Sequence, residues 1–105
     1  MNNYKILITQ RAYFDILECV RFVKNVSEQA GVELYDEIIE SLDSIAFNPH
    51  AFQEIQNLKI KDSKIRKKNV HNGRYFIIYK IEADVVTILS IFDARKDNWI
   101  LKLLQ

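Results

Sequence analysis

The sequence predicts an α+β fold in which a helical hairpin packs on one face of a small, mainly antiparallel sheet, in the order β-α-α-β-β-β. Three observations lead to this prediction. A strand-like stretch comes first, two amphipathic helical stretches follow it, and three strand-like stretches separated by turn residues fill the C-terminal half. Helices and strands that are segregated along a chain in this way are typical of α+β domains.

The N-terminal half is predicted to hold one strand and two helices. Apolar residues alternate over residues 4–8, and Thr9 follows as a helix N-cap. The first helix runs from there to about residue 25, because apolar residues recur at spacings of three and four. Ser27 caps the second helix, which ends at Asn48-Pro49 because a proline disfavours the helical conformation in the residue before it. So short a connection predicts an antiparallel hairpin.

The C-terminal half is predicted to hold three strands. Residues 50–63 show no clear period and are interpreted as a partly ordered connection. Strands are predicted at 64–71 and 74–81, on either side of Asn72-Gly73, a dipeptide that favours a type I′ hairpin turn. The last strand, residues 85–92, belongs in the interior of the sheet because it is apolar on both faces. Simple alternation places Val85, Leu89 and Ile91 on one face and Val86, Ile88 and Phe92 on the other.

Length and composition indicate one domain. The 105 residues are 49% hydrophobic, which suffices for one modest core, and we interpret residues 1–105 as a single domain. The N-terminus does not resemble a signal region, and no apolar run approaches the ~20 residues that span a bilayer. We therefore expect a cytoplasmic protein with no membrane partner. The single cysteine, Cys19, is expected to be a buried or half-buried thiol, and no metal or cofactor site is expected.

The net charge of +1 hides an uneven distribution along the chain. Residues 25–58 contain no Lys or Arg, whereas basic residues dominate residues 59–74. The pattern fits either lysines that keep an edge strand from pairing or a surface that binds an anionic partner. For the second interpretation, the candidate residues for binding a target or nucleic acid are Arg66, Lys67, Lys68 and Arg74.

The face on which these basic side chains lie depends on the register of the hairpin. A two-residue turn at Asn72-Gly73 places Lys67 and Asn69 on one face with Phe76 and Ile78. A shift of one residue places Arg66 and Lys68 there instead. The sequence leaves both registers open. Tyr75, Ile77 and Tyr79 are expected to face the helices as part of the core.

Three stretches of the sequence carry a resemblance to a known family. They are the run from Thr9 to Ile16, the helix exit from Leu42 to Pro49, and the run 73–81 with 86–91 and 93–97. Together they make the chain resemble the RelE/ParE superfamily of toxins from bacterial type II toxin–antitoxin systems. The resemblance covers nearly the whole chain and is closer to the ParE-like, plasmid-stabilisation branch.

The resemblance implies one of two activities. ParE-like members inhibit DNA gyrase by binding it, and RelE-like members enter the ribosomal A site and cut mRNA. Arg95 falls where the family places a phosphate-contacting arginine, so it is the candidate catalytic residue if the protein is a nuclease. The alternative for Arg95 is neutralisation by Asp93 or Asp97.

Two departures from the cleaving members favour the binding activity. Phe76 stands where many members have an arginine, and no His or Tyr follows Phe92. RNA cleavage needs stabilisation of the phosphate charge and protonation of the leaving oxygen. We therefore expect growth inhibition through binding of a gyrase-like DNA topoisomerase, with a ribosome-dependent mRNA endoribonuclease as the alternative.

Either activity implies a cognate antitoxin that holds the toxin inactive through a segment that folds on binding. We expect a small antitoxin with an acidic tail that covers the basic strand and apolar positions near the helical hairpin. Trp99, Leu101 and Leu104, in a short amphipathic C-terminal stretch, are the candidate antitoxin contacts. The alternative for that stretch is a tail that packs on the sheet.

Overall fold

The computed structural model describes residues 3–60 and 63–96. Within these ranges the chain forms two helices, one short 3₁₀ turn and five strands. The helices are α1 (Gln10–Val26) and α2 (Glu28–Phe47), and the 3₁₀ turn is Pro49–Ala51. The strands are β1 (Lys5–Ile8), β2 (Gln53–Ile60), β3 (Ser63–Val70), β4 (Tyr75–Glu82) and β5 (Val85–Asp93). The predicted α+β fold is confirmed, with one strand more than predicted.

Capping residues set the ends of the two helices in the hairpin. The Thr9 hydroxyl accepts a 3.1 Å hydrogen bond from the Ala12 amide, and the Ser27 hydroxyl accepts one of 3.2 Å from Ala30. Ser27 also closes α1, because its own amide donates to the Val23 carbonyl at 2.9 Å. One extended residue therefore ends the first helix and begins the second, which confirms the antiparallel hairpin. Within the described residues, neither helix is long and apolar enough to cross a membrane.

The sheet has the strand order β1-β5-β4-β3-β2. β1 pairs with β5 in parallel, with Lys5 opposite Val85, and the other three pairs are antiparallel. β5 thus lies inside the sheet, as its two apolar faces predicted. The parallel pair results from the helical hairpin, which carries the chain over one face of the sheet between β1 and the later strands.

β2 corrects the prediction of a partly ordered connection over residues 50–63. Gln53 and Glu54 pair with Lys67 and Arg66, but further along Lys59 pairs with Lys64, and the register shifts between these points. Such an irregularity places unequal numbers of residues on the two strands between these points. This explains why the segment shows no period of two in its sequence.

The β3–β4 turn settles the register that the sequence left open. The Arg74 amide donates to the His71 carbonyl at 3.1 Å, and Asn72 and Gly73 have φ of 55° and 81°, as a type I′ turn requires. Lys67 then lies opposite Ile78 and Asn69 opposite Phe76. This is the register of the two-residue turn, and it puts Arg66 and Lys68 on the helix-facing side of β3.

Buried side chains lie on both faces of the sheet. The cluster on the helix side includes Leu34 and Ile38 of α2 with Tyr75, Ile77 and Tyr79 of β4, as predicted. The cluster on the opposite face contains the buried residues Ile65, Phe76, Ile78 and Phe92. The central strands are therefore covered on both sides, as strands with few polar residues need to be.

A β-bulge at Leu89 corrects the predicted alternation of β5. Tyr79 pairs with Ile88 while its neighbour Ile78 pairs with Ser90, so Leu89 is the extra residue. Beyond the bulge the faces exchange. Ile91 packs with the helix-side cluster and Phe92 with the opposite one, the reverse of simple alternation.

Candidate binding surface at the end of the last strand

Asp93 and Arg95 form a closely bound pair where β5 ends. The Arg95 guanidinium donates from Nε to Asp93 Oδ1 at 3.0 Å and from Nη2 to Oδ2 at 2.8 Å, and the Arg95 amide donates to Oδ1 at 2.9 Å. The hydrogen bonds from the Arg95 side chain lower the pKa of the Asp93 carboxyl to about 2. Arg95 is thus neutralised by Asp93, which was one of the two sequence-based alternatives.

Arg74 lies beside this pair. It directly precedes Tyr75, the residue of β4 that pairs with Asp93. Its carbonyl accepts a 2.7 Å hydrogen bond from the Ala94 amide, and its guanidinium carbon stands 5.5 Å from the centroid of the Tyr75 ring. Its charge adds to the lowering of the Asp93 pKa. Arg74 Nε is buried and has no hydrogen-bond partner. The structure therefore brings two candidate site residues, Arg74 and Arg95, to the same carboxylate.

A cleft of about 420 Å³ opens between this pair and α1. Its walls include Asp93, Arg95 and Tyr75 on the sheet side and Arg11 and Cys19 on α1. Burial raises the pKa of the Cys19 thiol to about 12 and raises the pKa of Tyr75 as well. Both groups are therefore neutral at physiological pH, which suits a surface for binding better than one for proton transfer.

The helix side of the cleft contains contacts that the sequence analysis did not single out. The buried Ser90 hydroxyl donates a hydrogen bond to Asp15 Oδ2, and Arg11 Nε lies 3.9 Å from the same oxygen. The Arg11 guanidinium also stands 5.7 Å from the centroid of the Phe92 ring. The four-residue spacing of Arg11 and Asp15 on a predicted helix indicates an ion pair from sequence alone. Their contacts with Ser90 and Phe92 of β5 follow only from the fold.

Arg66 and Lys68 lie elsewhere, on the helix-facing side of β3. Arg66 Nη1 donates to the Phe52 carbonyl at 2.8 Å, and its Nη2 lies 3.8 Å from Glu54 Oε2. The Lys68 ammonium stands 5.0 Å from the centroid of the Phe52 ring. These cations hold the segment before β2 against β3. The role of Arg66 in this structure is to stabilise the fold locally, since its side chain is only 19% exposed.

Lys67 points to the opposite face of the sheet. Its ammonium stands 5.2 Å from the centroid of the Phe76 ring, which in turn packs against Phe92 with 6.1 Å between ring centroids. The basic candidates are therefore distributed over three places: Arg74 and Arg95 at the end of β5, Arg66 and Lys68 beside Phe52, and Lys67 on the far face. No three of these five cations converge on one point, as a nuclease site would require.

The remaining sequence-based candidates belong to the C-terminal stretch. Trp99, Leu101 and Leu104, predicted to contact an antitoxin, lie outside the described residues, as does Asp97. Among the residues that are described, His, Cys, Asp and Glu side chains form no group of three or more that could hold a metal ion.

The fold recurs in solved structures of toxin–antitoxin proteins. A chain of the "Chromosomal ParDE TA system from P. aeruginosa" superposes with a TM-score of 0.68 at 10% sequence identity, covering 86% of this chain and 95% of the other. A chain of the archaeal RelE-RelB complex from Pyrococcus horikoshii OT3 superposes with a TM-score of 0.55 at 16% identity, covering 88% and 96%. These likenesses define the class of fold: an α+β domain whose architecture is shared with both chains.

The family within that class follows from the sequence. The family model described as the ParE toxin of the type II toxin–antitoxin system parDE matches residues 6–98. The match spans most of the chain, and the chain therefore belongs to the ParE toxin family. No curated protein matches the sequence.

Proposed function

We propose that this protein inhibits growth by binding a DNA topoisomerase of the gyrase type, and that it does so in the cytoplasm as the toxin of a type II toxin–antitoxin pair. Membership of the ParE family is the starting point. The observation that carries the choice of binding over cleavage is the pair formed by Asp93 and Arg95. The Arg95 guanidinium donates two hydrogen bonds to the Asp93 carboxylate. The same N–H groups are therefore not available to bind a phosphate.

The placement of the other cations also supports binding. Stabilising the charge of a scissile phosphate requires donors that converge on one point. Arg66 donates to the Phe52 carbonyl and Lys67 lies across the sheet from it, over the ring of Phe76. Phe76, where many members have an arginine, is buried and carries no charge that could stabilise a phosphate.

A cognate antitoxin is part of this proposal. The two solved structures that share the fold are a ParDE toxin–antitoxin system and a RelE-RelB complex. We propose that an acidic antitoxin segment covers the basic strand β3, where the side chains of Lys64, Lys67 and Lys68 remain partly or fully exposed. Opposite charges would accelerate the encounter and fix the register of that segment.

The test compares the two activities on the same purified protein. DNA supercoiling by gyrase is measured with increasing protein, and mRNA integrity is measured in a translating cell-free extract. Inhibition of supercoiling, with mRNA left intact, is the result expected. Cut mRNA with unaffected supercoiling would establish the ribosome-dependent endoribonuclease instead.

Two arginine variants test whether Arg95 contributes to either activity. Arg95→Ala should leave mRNA intact because the wild-type protein does not cut it, and any effect on gyrase reports a contact at the cleft. Arg21→Ala is the matched control, since Arg21 is an exposed arginine of α1 that pairs with the equally exposed Glu18 at 3.5 Å. If Arg95→Ala relieves a translational arrest that Arg21→Ala does not, the binding activity is wrong.

A further inference from the structure

A second pocket, of about 230 Å³, lies between α2 and the end of β3. One wall is a flank of α2 whose lining residues are all polar, namely Glu37, Glu40, Ser41 and Ser44. The facing wall belongs to β3 and the turn after it. We call this space the α2–β3 pocket. It shares no lining residue with the cleft between α1 and β5, so it is a separate candidate site.

The pocket is lined by a nearly buried hydroxyl that has no hydrogen-bond partner. Ser41 is 6% exposed, and within the residues that the structure describes its hydroxyl makes no hydrogen bond. The other buried serine in those ranges, Ser90, donates to Asp15. A buried hydroxyl without a partner is unfavourable. Ser41 therefore offers a donor and an acceptor that a ligand in the pocket would satisfy.

Two carboxylates lie on the same wall as Ser41. Glu37 is held at the end of β3, because its Oε2 accepts the His71 amide at 2.9 Å and its Oε1 lies 3.7 Å from His71 Nδ1. The Glu40 carboxylate has no ion pair or hydrogen bond within the described ranges. A carboxylate has about four lone-pair sites, so both groups retain acceptors. The wall therefore offers a ligand three acceptor groups, those of Glu37, Glu40 and Ser41.

Carboxylates outnumber permanent cations around the pocket. No Lys or Arg occurs in residues 25–58, so α2 contributes carboxylates and no cations. Lys68 lines the β3 wall, but its ammonium stands 5.0 Å from the centroid of the Phe52 ring and pairs with no carboxylate of the described chain. His71, on the same wall, is charged only when it is protonated. The pocket therefore favours a positively charged ligand.

The acidic flank of α2 continues beyond the pocket. Glu33 and Asp36 precede Glu37 and Glu40 by four residues, and residues four apart lie on the same side of a helix. The two pairs are about 6 Å apart along the helix axis, since each residue rises ~1.5 Å. A diamine with four methylene groups between its nitrogens spans a similar distance when extended. Within the described ranges, no group of three or more His, Cys, Asp or Glu could hold a metal ion, so the spread of acceptors suits an extended organic cation better.

We propose that the α2–β3 pocket binds an aliphatic polyamine. One terminal ammonium donates its three N–H groups to Ser41, Glu37 and Glu40. The methylene chain then follows α2, and the next ammonium lies one helical turn away, beside Glu33 and Asp36. Because Glu37 also holds the His71 amide, the ligand connects α2 to the β3–β4 turn and stabilises the folded protein.

This proposal goes beyond the proposed function and does not depend on it. The pocket is separate from the cleft between α1 and β5, and polyamine binding is measured on the purified protein without gyrase or an antitoxin. Failure of the polyamine experiment would leave the gyrase proposal standing. Failure of the gyrase experiment would likewise leave the polyamine site standing.

Spermidine is the probe, and its binding is measured by isothermal titration calorimetry at about 0.15 M salt, which screens distant surface charges. Ser41→Ala removes the unpaired hydroxyl, and Glu40→Gln removes one carboxylate of the pocket while keeping the size of the side chain. Asp43→Asn is the matched control, because it removes the same charge from α2 at a position that does not line the pocket.

Saturable binding of one spermidine is expected. Ser41→Ala and Glu40→Gln should each weaken it about tenfold or more, the usual effect of losing a hydrogen bond to a charged group. Asp43→Asn should weaken it less than about twofold, as expected for an exposed charge. Lys68→Gln should tighten binding, because it removes positive charge from the β3 wall. Without ligand, Ser41→Ala should melt at the wild-type temperature or above it, since the hydroxyl that it removes has no partner.

Four results would overturn the proposal. The first is no binding of spermidine, and the second is binding of an acetylated single-lysine peptide in its place, which would assign the pocket to a protein side chain. Equal weakening by Asp43→Asn and Glu40→Gln would show attraction to the acidic helix as a whole. A lower melting temperature of Ser41→Ala without ligand would show that the hydroxyl is already satisfied in the folded protein.

Discussion

The hydroxyl of Tyr79 donates a 2.6 Å hydrogen bond to the carbonyl oxygen of Pro49, 30 positions away in the sequence. Tyr79 stands on β4, the central strand of the sheet, and is fully buried. Pro49 begins the 3₁₀ turn, two residues after the end of α2. One hydrogen bond thus joins the middle of the sheet to the exit of the helical hairpin, and burial raises the pKa of the Tyr79 hydroxyl to about 12, so the donor keeps its proton.

Tyr79→Phe should destabilise the protein because it leaves the Pro49 carbonyl without this buried donor. The free energy of unfolding, measured by urea denaturation, should fall by about 1–3 kcal/mol, the usual cost of an unsatisfied buried polar group. Tyr13→Phe is the control, since Tyr13 is 56% exposed, and it should change stability little. Equal effects of the two substitutions would show that the Tyr79 hydroxyl contributes nothing specific.

The pairing of Asp93 with Arg95 should make stability depend on pH in the acid range. The pKa of Asp93 is lowered from 3.8 to about 2 in the folded protein. The folded state therefore binds the proton less tightly than the unfolded chain, so the stabilisation is complete above about pH 5 and is lost as the pH falls to about 2. Asp93→Asn and Arg95→Ala should each reduce the loss of unfolding free energy between about pH 5 and pH 2. Parallel curves for the three proteins would contradict the pairing.

Gly31→Ala should force the two helices of the hairpin apart. A Cβ at this position would lie 2.8 Å from the Lys24 Cβ and 2.9 Å from its Cα, and the Cα belongs to backbone that cannot simply rotate away. Overpacking of this kind costs about 1–3 kcal/mol, which should exceed the gain of ~1 kcal/mol in helix propensity. Thermal unfolding of Gly31→Ala and of the neighbouring exposed Val32→Ala compares the two effects. A melting temperature at or above that of the wild type for Gly31→Ala would refute the close packing.

Cys19 should be unreactive in the folded protein. Its Sγ lies 3.3 Å from the Ile16 carbonyl, and burial raises its pKa to about 12, so very little thiolate is present near neutral pH. Alkylation by iodoacetamide, followed by mass spectrometry, should be at least about 100-fold slower in buffer than in concentrated urea, because the thiolate is the reacting form. Comparable rates under the two conditions would mean that Cys19 is not enclosed between α1 and the sheet.

The parts of the fold that were predicted correctly depend on local chemistry. Thr9 and Ser27 are N-caps because a hydroxyl can reach an amide three residues on, and Asn72-Gly73 forms the turn because its residues accept positive φ. Both features are readable from a few neighbouring residues. The pairing of Asp93 with Arg95 is similar, since two positions separate them and neutralisation was one of the two alternatives.

The parts that were missed depend on distant residues. β2 exists because β3 offers it hydrogen bonds, and its register shift removes the alternation by which a strand is recognised. The bulge at Leu89 arises from the pairing of β5 with β4. The hydrogen bond from Arg66 to the Phe52 carbonyl joins residues 14 positions apart, so it also could not be predicted from neighbouring residues.

The parallel pairing of β1 with β5 bears on the time at which this domain can fold. Lys5 pairs with Val85, and the Thr9 hydroxyl donates to the Leu89 carbonyl, 80 positions later. A ribosome releases the residues of β1 long before those of β5, so the first strand must wait without its partner while the helical hairpin and three strands are made. Contacts of such large sequence separation slow folding. The nascent chain therefore completes the cleft between α1 and β5 only after β5 has been made, and any harm that the toxin does begins after that point.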